Sequence, residues 1–242
     1  VFFLKSFICD FSDGSPARHR VRRYPNIRVK AGDGRRRWLA KSGDKGRTHG
    51  GGGGHLRIIA GQWRGRRLQF PDRPGLRPTG DRIRETLFNW LARPIVGARC
   101  LDLFAGSGAL GLEALSRGAA HCDFVERDRA AAASLRAHID SLAANPRARV
   151  VEADALEFLR GRSARYDIVF LDPPFAADLL AASAAALADG DHLEHDAKIY
   201  TEQDAHDVCA LPSTWRELRR KQSGNVAYAL LTAEDPQDAP AD

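Results

Sequence analysis

Leu101-Asp102-Leu103-Phe104-Ala105-Gly106-Ser107-Gly108-Ala109-Leu110-Gly111 takes an apolar run into a glycine-rich turn and out into a helical pattern. Glycine lets the backbone approach a ligand closely, and the free N–H groups at a helix start favour negative or polar atoms. Gly106-x-Gly108-x-x-Gly111 matches the dinucleotide-binding spacing, and Glu126 stands 20 positions after Gly106. A carboxylate there can accept both hydroxyls of a ribose. Taken alone, the pair fits a nicotinamide cofactor or S-adenosyl-L-methionine.

A second motif separates the two. Ile168-Val169-Phe170-Leu171 runs straight into Asp172-Pro173-Pro174-Phe175. Two prolines fix the backbone beyond the strand and aim the Asp172 carboxylate and the Pro173 carbonyl at one point. Phe175 offers a flat ring on which a base can stack. Two acceptors converging on an exocyclic NH2 orient it and enrich a lone pair that is otherwise delocalised into the ring. A nitrogen needs that lone pair to attack a sulfonium methyl in line, and positioning supplies much of the rate. Hydride transfer has no use for such an arrangement. Catalysis is therefore expected at Asp172, Pro173, Pro174 and Phe175.

Other residues say less. Asp154-Ala155 follows an apolar run, where the carboxylate can reach an adenine amino group or simply cap a helix. Glu202 and Gln203 end another run and have no assigned chemistry. The eight histidines show no metal spacing, and four scattered cysteines form no C-x-x-C pair, which suits a reducing cytosol rather than a disulfide framework.

These residues need a scaffold, and the order of patterns describes one. Leu56–Ala60 and Arg66–Phe70 read as a hairpin around Gly61 to Gly65. Thr79 can cap a helix to about Leu91, with Ile83, Leu87, Phe88 and Leu91 on one side. Strands are then expected at Arg99–Phe104, Cys122–Val125, Arg149–Val151, Tyr166–Leu171 and Ile199–Glu202. Helices fall at Ala109–Arg117, Asp128–Leu142 and Leu179–Ala188, with a helical turn at Glu157–Arg160. Arg216–Gln222 and Ala227–Leu231 form a closing hairpin. Alternating β and α implies a mainly parallel sheet with helices on both faces.

Charge is unevenly placed in the 242 residues, whose net is +6. Residues 1–54 carry +9, residues 55–100 carry +7, and the rest −10. A basic front ahead of an acidic body suits contact with a polyanion, and Arg, which dominates, matches phosphate oxygens and guanine edges. Arg57, Trp63, Arg64, Arg66, Arg67, Arg77, Arg82 and Arg84 are the expected RNA-binding residues. Residues 1–54 run through Arg35-Arg36-Arg37 and a Gly50–Gly54 tract without a period, in a chain that has no Met. They read as a disordered basic arm or as a segment upstream of the natural start, with the folded body beginning near His55. Residues 233–242 read as a disordered tail. The apolar opening is broken by Lys5 and lacks a cleavage site, so it does not read as a signal peptide. No window is apolar enough to span a membrane.

The run Leu56-Arg57-Ile58-Ile59-Ala60-Gly61-Gln62-Trp63-Arg64-Gly65-Arg66, the block Leu76-Arg77-Pro78-Thr79-Gly80-Asp81-Arg82-Ile83-Arg84-Glu85-Thr86-Leu87-Phe88-Asn89-Trp90-Leu91 and the two motifs together closely resemble the RsmD family. The resemblance covers about residues 56–232. Its members are bacterial methyltransferases acting on the N2 amino group of one guanine of 16S ribosomal RNA, position 966 by family convention. The resemblance implies a Rossmann-like, seven-stranded, S-adenosyl-L-methionine-dependent methyltransferase fold with a small N-terminal β-hairpin that helps hold RNA. It implies the cofactor over Asp102, Phe104, Ala105, Gly106, Ser107 and Gly108, with Glu126 on the ribose, Arg127 also at the cofactor and Asp154-Ala155 beside the adenine. The target guanine would lie at Asp172 to Phe175, and Thr79 to Glu85 beside the cofactor or the RNA entrance. The expected substrate is an assembled small subunit or a late assembly particle, and the expected protein a cytoplasmic monomer without metal. Two rivals stay open: an amino-methyltransferase acting on adenine or cytosine in DNA, and a non-catalytic RNA-binding assembly factor.

Overall fold

The computed structural model describes residues 53–71, 80–161, 164–174, 179–207 and 209–233. The expectations for residues 1–52, Arg77, Thr79, Phe175 and residues 234–242 lie outside these.

Strands β1 (Gly53–Arg57) and β2 (Arg67–Pro71) form the expected antiparallel hairpin, with Leu56 opposite Leu68 and Arg57 opposite Arg67. The period of two sorts its side chains. Leu56, Leu68 and Phe70 are buried, while His55, Arg57, Arg67 and Gln69 face outward around a shallow cavity of about 420 Å³. The hairpin starts two residues before His55, because glycines carry no strand signal yet pair freely here. Helix α1 (Asp81–Trp90) buries Ile83, Leu87 and Phe88 as its spacing predicts.

Strands β3 (Arg99–Asp102), β4 (His121–Glu126), β5 (Ala148–Glu152), β6 (Tyr166–Leu171), β7 (Leu193–Asp204), β8 (Trp215–Ser223) and β9 (Val226–Ala233) make one sheet in the order β5-β4-β3-β6-β7-β9-β8. The first five are parallel and β9 runs antiparallel between β7 and β8. Buried on both sides, the central strands alternate between two cores. Ile168 and Phe170 enter the core with α1, the hairpin and α2 (Ala109–Ser116), whereas Val169 and Leu171 enter the other. Helix α3 (Arg129–Ser141) joins the first core, and α4 (Ala155–Arg160) and α5 (Leu179–Asp189) the second. Continuous apolar runs of this kind mark strands covered on both faces.

Strand β7 is longer than Ile199–Glu202 because Glu194, half-buried, and His195 and Asp196, exposed, break the apolar pattern of its first half. No described helix is long and apolar enough to cross a membrane.

Candidate active site and nucleic-acid interface

Strands β3 and β6 are neighbours, but the chain leaves them toward opposite edges of the sheet. Such a switch point opens a crevice at the strands' carboxyl ends. Asp102 ends β3, Glu126 ends β4 and Asp172 follows β6, so three predicted carboxylates arrive at one rim.

The glycine turn is fixed from several directions. Ala105 N–H donates to the Val125 carbonyl at 2.9 Å and Gly108 N–H to the Ala105 carbonyl at 2.6 Å. Gly108 has φ +77°, and a Cβ there would lie 2.5 Å from a methyl of Leu135. Only glycine suits that left-handed and crowded position. Glu126 holds the turn with both oxygens: one accepts from Gly106 N–H at 2.8 Å and the other from Asp128 N–H at 2.6 Å. Asp102 is buried and accepts from Gly111 N–H at 2.9 Å. Burial above all, then the nearby charges of Asp172 and Glu126, push its carboxyl up to about 7 despite that bond. The charges that act on Asp102 are thus carboxylates.

The remaining candidates divide. Ser107 and Ala105 are buried in the turn and Phe104 is partly buried, while Arg127 is exposed. Asp154 caps α4, accepting from Leu156 N–H at 2.9 Å and Glu157 N–H at 3.3 Å, with Ala155 buried behind it. Pro173 is buried and Pro174 exposed.

One pair beside Asp172 had no assigned chemistry in the sequence. The Tyr200 hydroxyl donates to Glu202 at 2.7 Å, both side chains being buried on β7. Burial, then Glu202 and more weakly Asp172 raise that hydroxyl well above the tyrosine range. The visible signal was a Tyr-x-Glu at a strand end, two residues apart and therefore on one face.

On the hairpin, Arg64, Arg66 and Arg67 are exposed, as is Arg82 on α1, and Arg57 is exposed while paired with Asp81 at 3.0 Å. Two expected RNA-binding residues do not fit that role. Arg84 is 1% exposed and turned inward, donating to Asp81 at 2.6 Å and to the Arg57 carbonyl at 2.8 Å, with Glu113 at 3.6 Å. Trp63 is buried, its ring under the Arg147 guanidinium at 5.4 Å. Both serve the attachment of the hairpin.

That attachment runs to α2. Glu113, fully buried, accepts from Ile59 N–H at 2.8 Å, Ala60 N–H at 3.0 Å and Arg117 Nε at 2.7 Å. Ser116 accepts from Trp63 N–H at 3.0 Å and donates to the Ala60 carbonyl at 2.6 Å. Gly61, at φ +79°, lies so close that a Cβ would meet the Ser116 carbonyl at 1.9 Å. A buried carboxylate is stable only with partners of this kind. The helix that leaves the glycine turn therefore also carries the hairpin. Among the described residues no three His, Cys, Asp or Glu side chains gather as a metal site.

A parallel sheet continued by an antiparallel β9 and β8, with a glycine turn at its switch point, defines a methyltransferase fold. A solved structure from Salinibacter ruber, an RNA methyltransferase in complex with S-adenosyl-L-homocysteine, shares it at TM-score 0.53 and 14% identity, over 69% of this chain and 98% of that one. A model of the family described as conserved hypothetical protein 95 matches residues 56–232, and the chain belongs to that family, the RsmD family. The Escherichia coli ribosomal RNA small subunit methyltransferase D is 50% identical over 192 residues, covering 79% of this chain and 96% of that protein. A solved Escherichia coli structure described as a methyltransferase aligns at TM-score 0.71 and 48% identity, over 75% of this chain and 99% of that one.

Proposed function

We propose that this chain is an rRNA methyltransferase that transfers a methyl group from S-adenosyl-L-methionine to the exocyclic N2 of a guanine in 16S rRNA, position 966 by family convention. The carrying observation is the meeting of the glycine turn, Asp102 and Glu126 with the Asp172-Pro173 loop at one switch point. Family membership and the names of the relatives support an rRNA substrate. The residues fit the cofactor, because an acidic crevice suits a ligand whose sulfonium and ammonium are both positive.

When bound, the cofactor supplies an electrophilic methyl on positive sulfur. Asp102 and the turn from Phe104 to Gly108 would hold its amino-acid end, Glu126 with Arg127 its ribose, and Asp154-Ala155 its adenine. The guanine, extruded from its stack, would present its NH2 to the Asp172 carboxylate and the Pro173 carbonyl. Accepting from both N–H bonds, these oxygens would turn the nitrogen lone pair toward the methyl and stabilise the positive charge growing on nitrogen. Pro174 would fix the backbone that follows Pro173, and Phe175 would stack on the base. Arg57, Arg64, Arg66, Arg67 and Arg82 would hold phosphates.

The test is methyl transfer from labelled S-adenosyl-L-methionine to small subunits lacking the modification, with naked 16S RNA and duplex DNA alongside, and mass spectrometry of the digested product. N2-methylguanine on subunits is expected. Transfer to DNA alone, or binding of the cofactor with no transfer to any acceptor, would overturn the reading.

A further inference from the structure

We propose that edge strand β8 is a second RNA-contacting surface, which receives the phosphate backbone of the single strand flanking the target nucleotide. The proposal rests on the rRNA methyltransferase reading above.

Register brings β8 to the site. Leu171 pairs with Thr201, Thr201 with Ala229 and Ala229 with Arg220. One residue further on, Glu202 pairs with Tyr228 and Tyr228 with Lys221. Asp172 directly follows Leu171, so Lys221 stands level with it at the same end of the sheet. The separation is three strand spacings, roughly 14 Å. A nucleic acid strand leaving a base in the crevice covers that distance within a few nucleotides.

The chemistry of β8 suits a polyanion. Arg216, Arg219, Arg220 and Lys221 are exposed on it against one acid, Glu217, in a stretch of chain that is otherwise strongly acidic. Arg220 is paired with Glu217 at 2.7 Å. Arg219 donates to the neighbouring Leu218 carbonyl at 3.2 Å, and no acid pairs with Lys221 among the described residues. Directly opposed residues of antiparallel strands share a face, which puts Lys221 with Tyr228 and Arg219 with Leu230. That face also carries Trp90 of α1, partly exposed and stacked on Tyr228 with ring centroids 5.6 Å apart. Cations beside a partly exposed aromatic ring form the usual surface for single-stranded nucleic acid.

Positive charge on an edge strand also keeps other chains from pairing with it. Charge of either sign would do that, whereas phosphate contact requires positive charge. The experiment uses the full chain carrying Arg219→Gln with Lys221→Gln, and a second variant carrying Arg219→Glu with Lys221→Glu. Methyl transfer to unmodified small subunits is measured over a range of salt, alongside wild type, with the melting temperature and cofactor affinity of each protein. The glutamine variant should keep its kcat, melting temperature and cofactor affinity while the subunit KM rises about tenfold at low salt. The slope of log affinity against log salt should flatten by about 1.4, the value for two lost single-strand phosphate contacts. The glutamate variant should bind subunits more weakly still. An unchanged KM and slope, or a glutamate variant as good as wild type, would overturn the proposal. Wild-type protein inactive on subunits would overturn the rRNA reading, and this proposal with it.

Discussion

The hairpin of residues 53–71 and the carboxyl rim of the sheet hold opposite charge within one packed unit. The hairpin turns Arg57, Arg64, Arg66 and Arg67 outward and keeps its apolar residues against α1 and α2. The rim gathers Asp102, Glu126, Asp172 and Glu202 where the strands end, all at least partly buried. Exposed cations are solvated and adjustable, which suits an irregular polyanion and makes binding depend on salt. Buried carboxylates are costly without a cation, so they favour a small positive ligand and lose much less to screening. Under the proposed function, grip and chemistry fall in different dielectric environments, and α2 is the element common to both. Its start is the glycine turn, and its Glu113 and Ser116 carry the hairpin.

The largest break in the comparison should come from Asp172→Ala. Turnover on subunits should fall by at least about a thousandfold, the scale of losing a preorganised acceptor at the reacting atom. Cofactor affinity by titration should stay within a few-fold, and a parallel loss of affinity would move Asp172 to the cofactor's side of the site. Glu113→Ala attacks the link instead. It leaves Arg84 and Arg117 without their shared carboxylate and two backbone N–H groups without an acceptor. Thermal or denaturant unfolding should show a loss of about 3–5 kcal/mol; a loss under 1 kcal/mol would mean the latch is not a stabilising element.

Replacing Arg57, Arg64, Arg66 and Arg67 together by Ala is a change of grip alone. Subunit affinity should weaken and the log-affinity slope against log salt should flatten by about 3, with kcat at saturation kept. The smallest effect is the pH response of the rim. The Asp102 carboxyl titrates at about 7 in the free protein, above its unfolded range, so the folded chain holds that proton more tightly. Stability from this group therefore falls as pH rises from about 4 to 7. A positive cofactor favours the ionised form, so its affinity should rise by up to tenfold per pH unit below 7 and level off above. Asp102→Asn should flatten both profiles, and an unchanged pH profile in that variant would assign the titration elsewhere.

How far the sequence carried differs between the two regions for the same reason. The sheet and its rim were legible because strands buried on both faces are written as apolar runs, as in Ile168 to Leu171, and because glycines and prolines punctuate them. The hairpin's attachment was not. Arg84 sits in a run of charges that looks solvent-facing, yet it shares the buried side of α1 with Ile83, Leu87 and Phe88. What allows an arginine there is Glu113, 29 positions later, a pairing that no local pattern records. Trp63, followed by Arg64, Arg66 and Arg67, reads as a stacking residue for RNA and is instead closed under Arg147. Glu202 gained meaning only when the register set it level with Asp172.

The separation of grip from chemistry can be measured by titrating the four-arginine variant and Asp102→Asn with both S-adenosyl-L-methionine and unmodified small subunits in one buffer. A crossed result is expected: the arginine variant loses subunits and keeps the cofactor, while Asp102→Asn loses the cofactor and keeps subunits. Variants that each lose both ligands to a similar extent, with unfolding transitions unchanged, would contradict it.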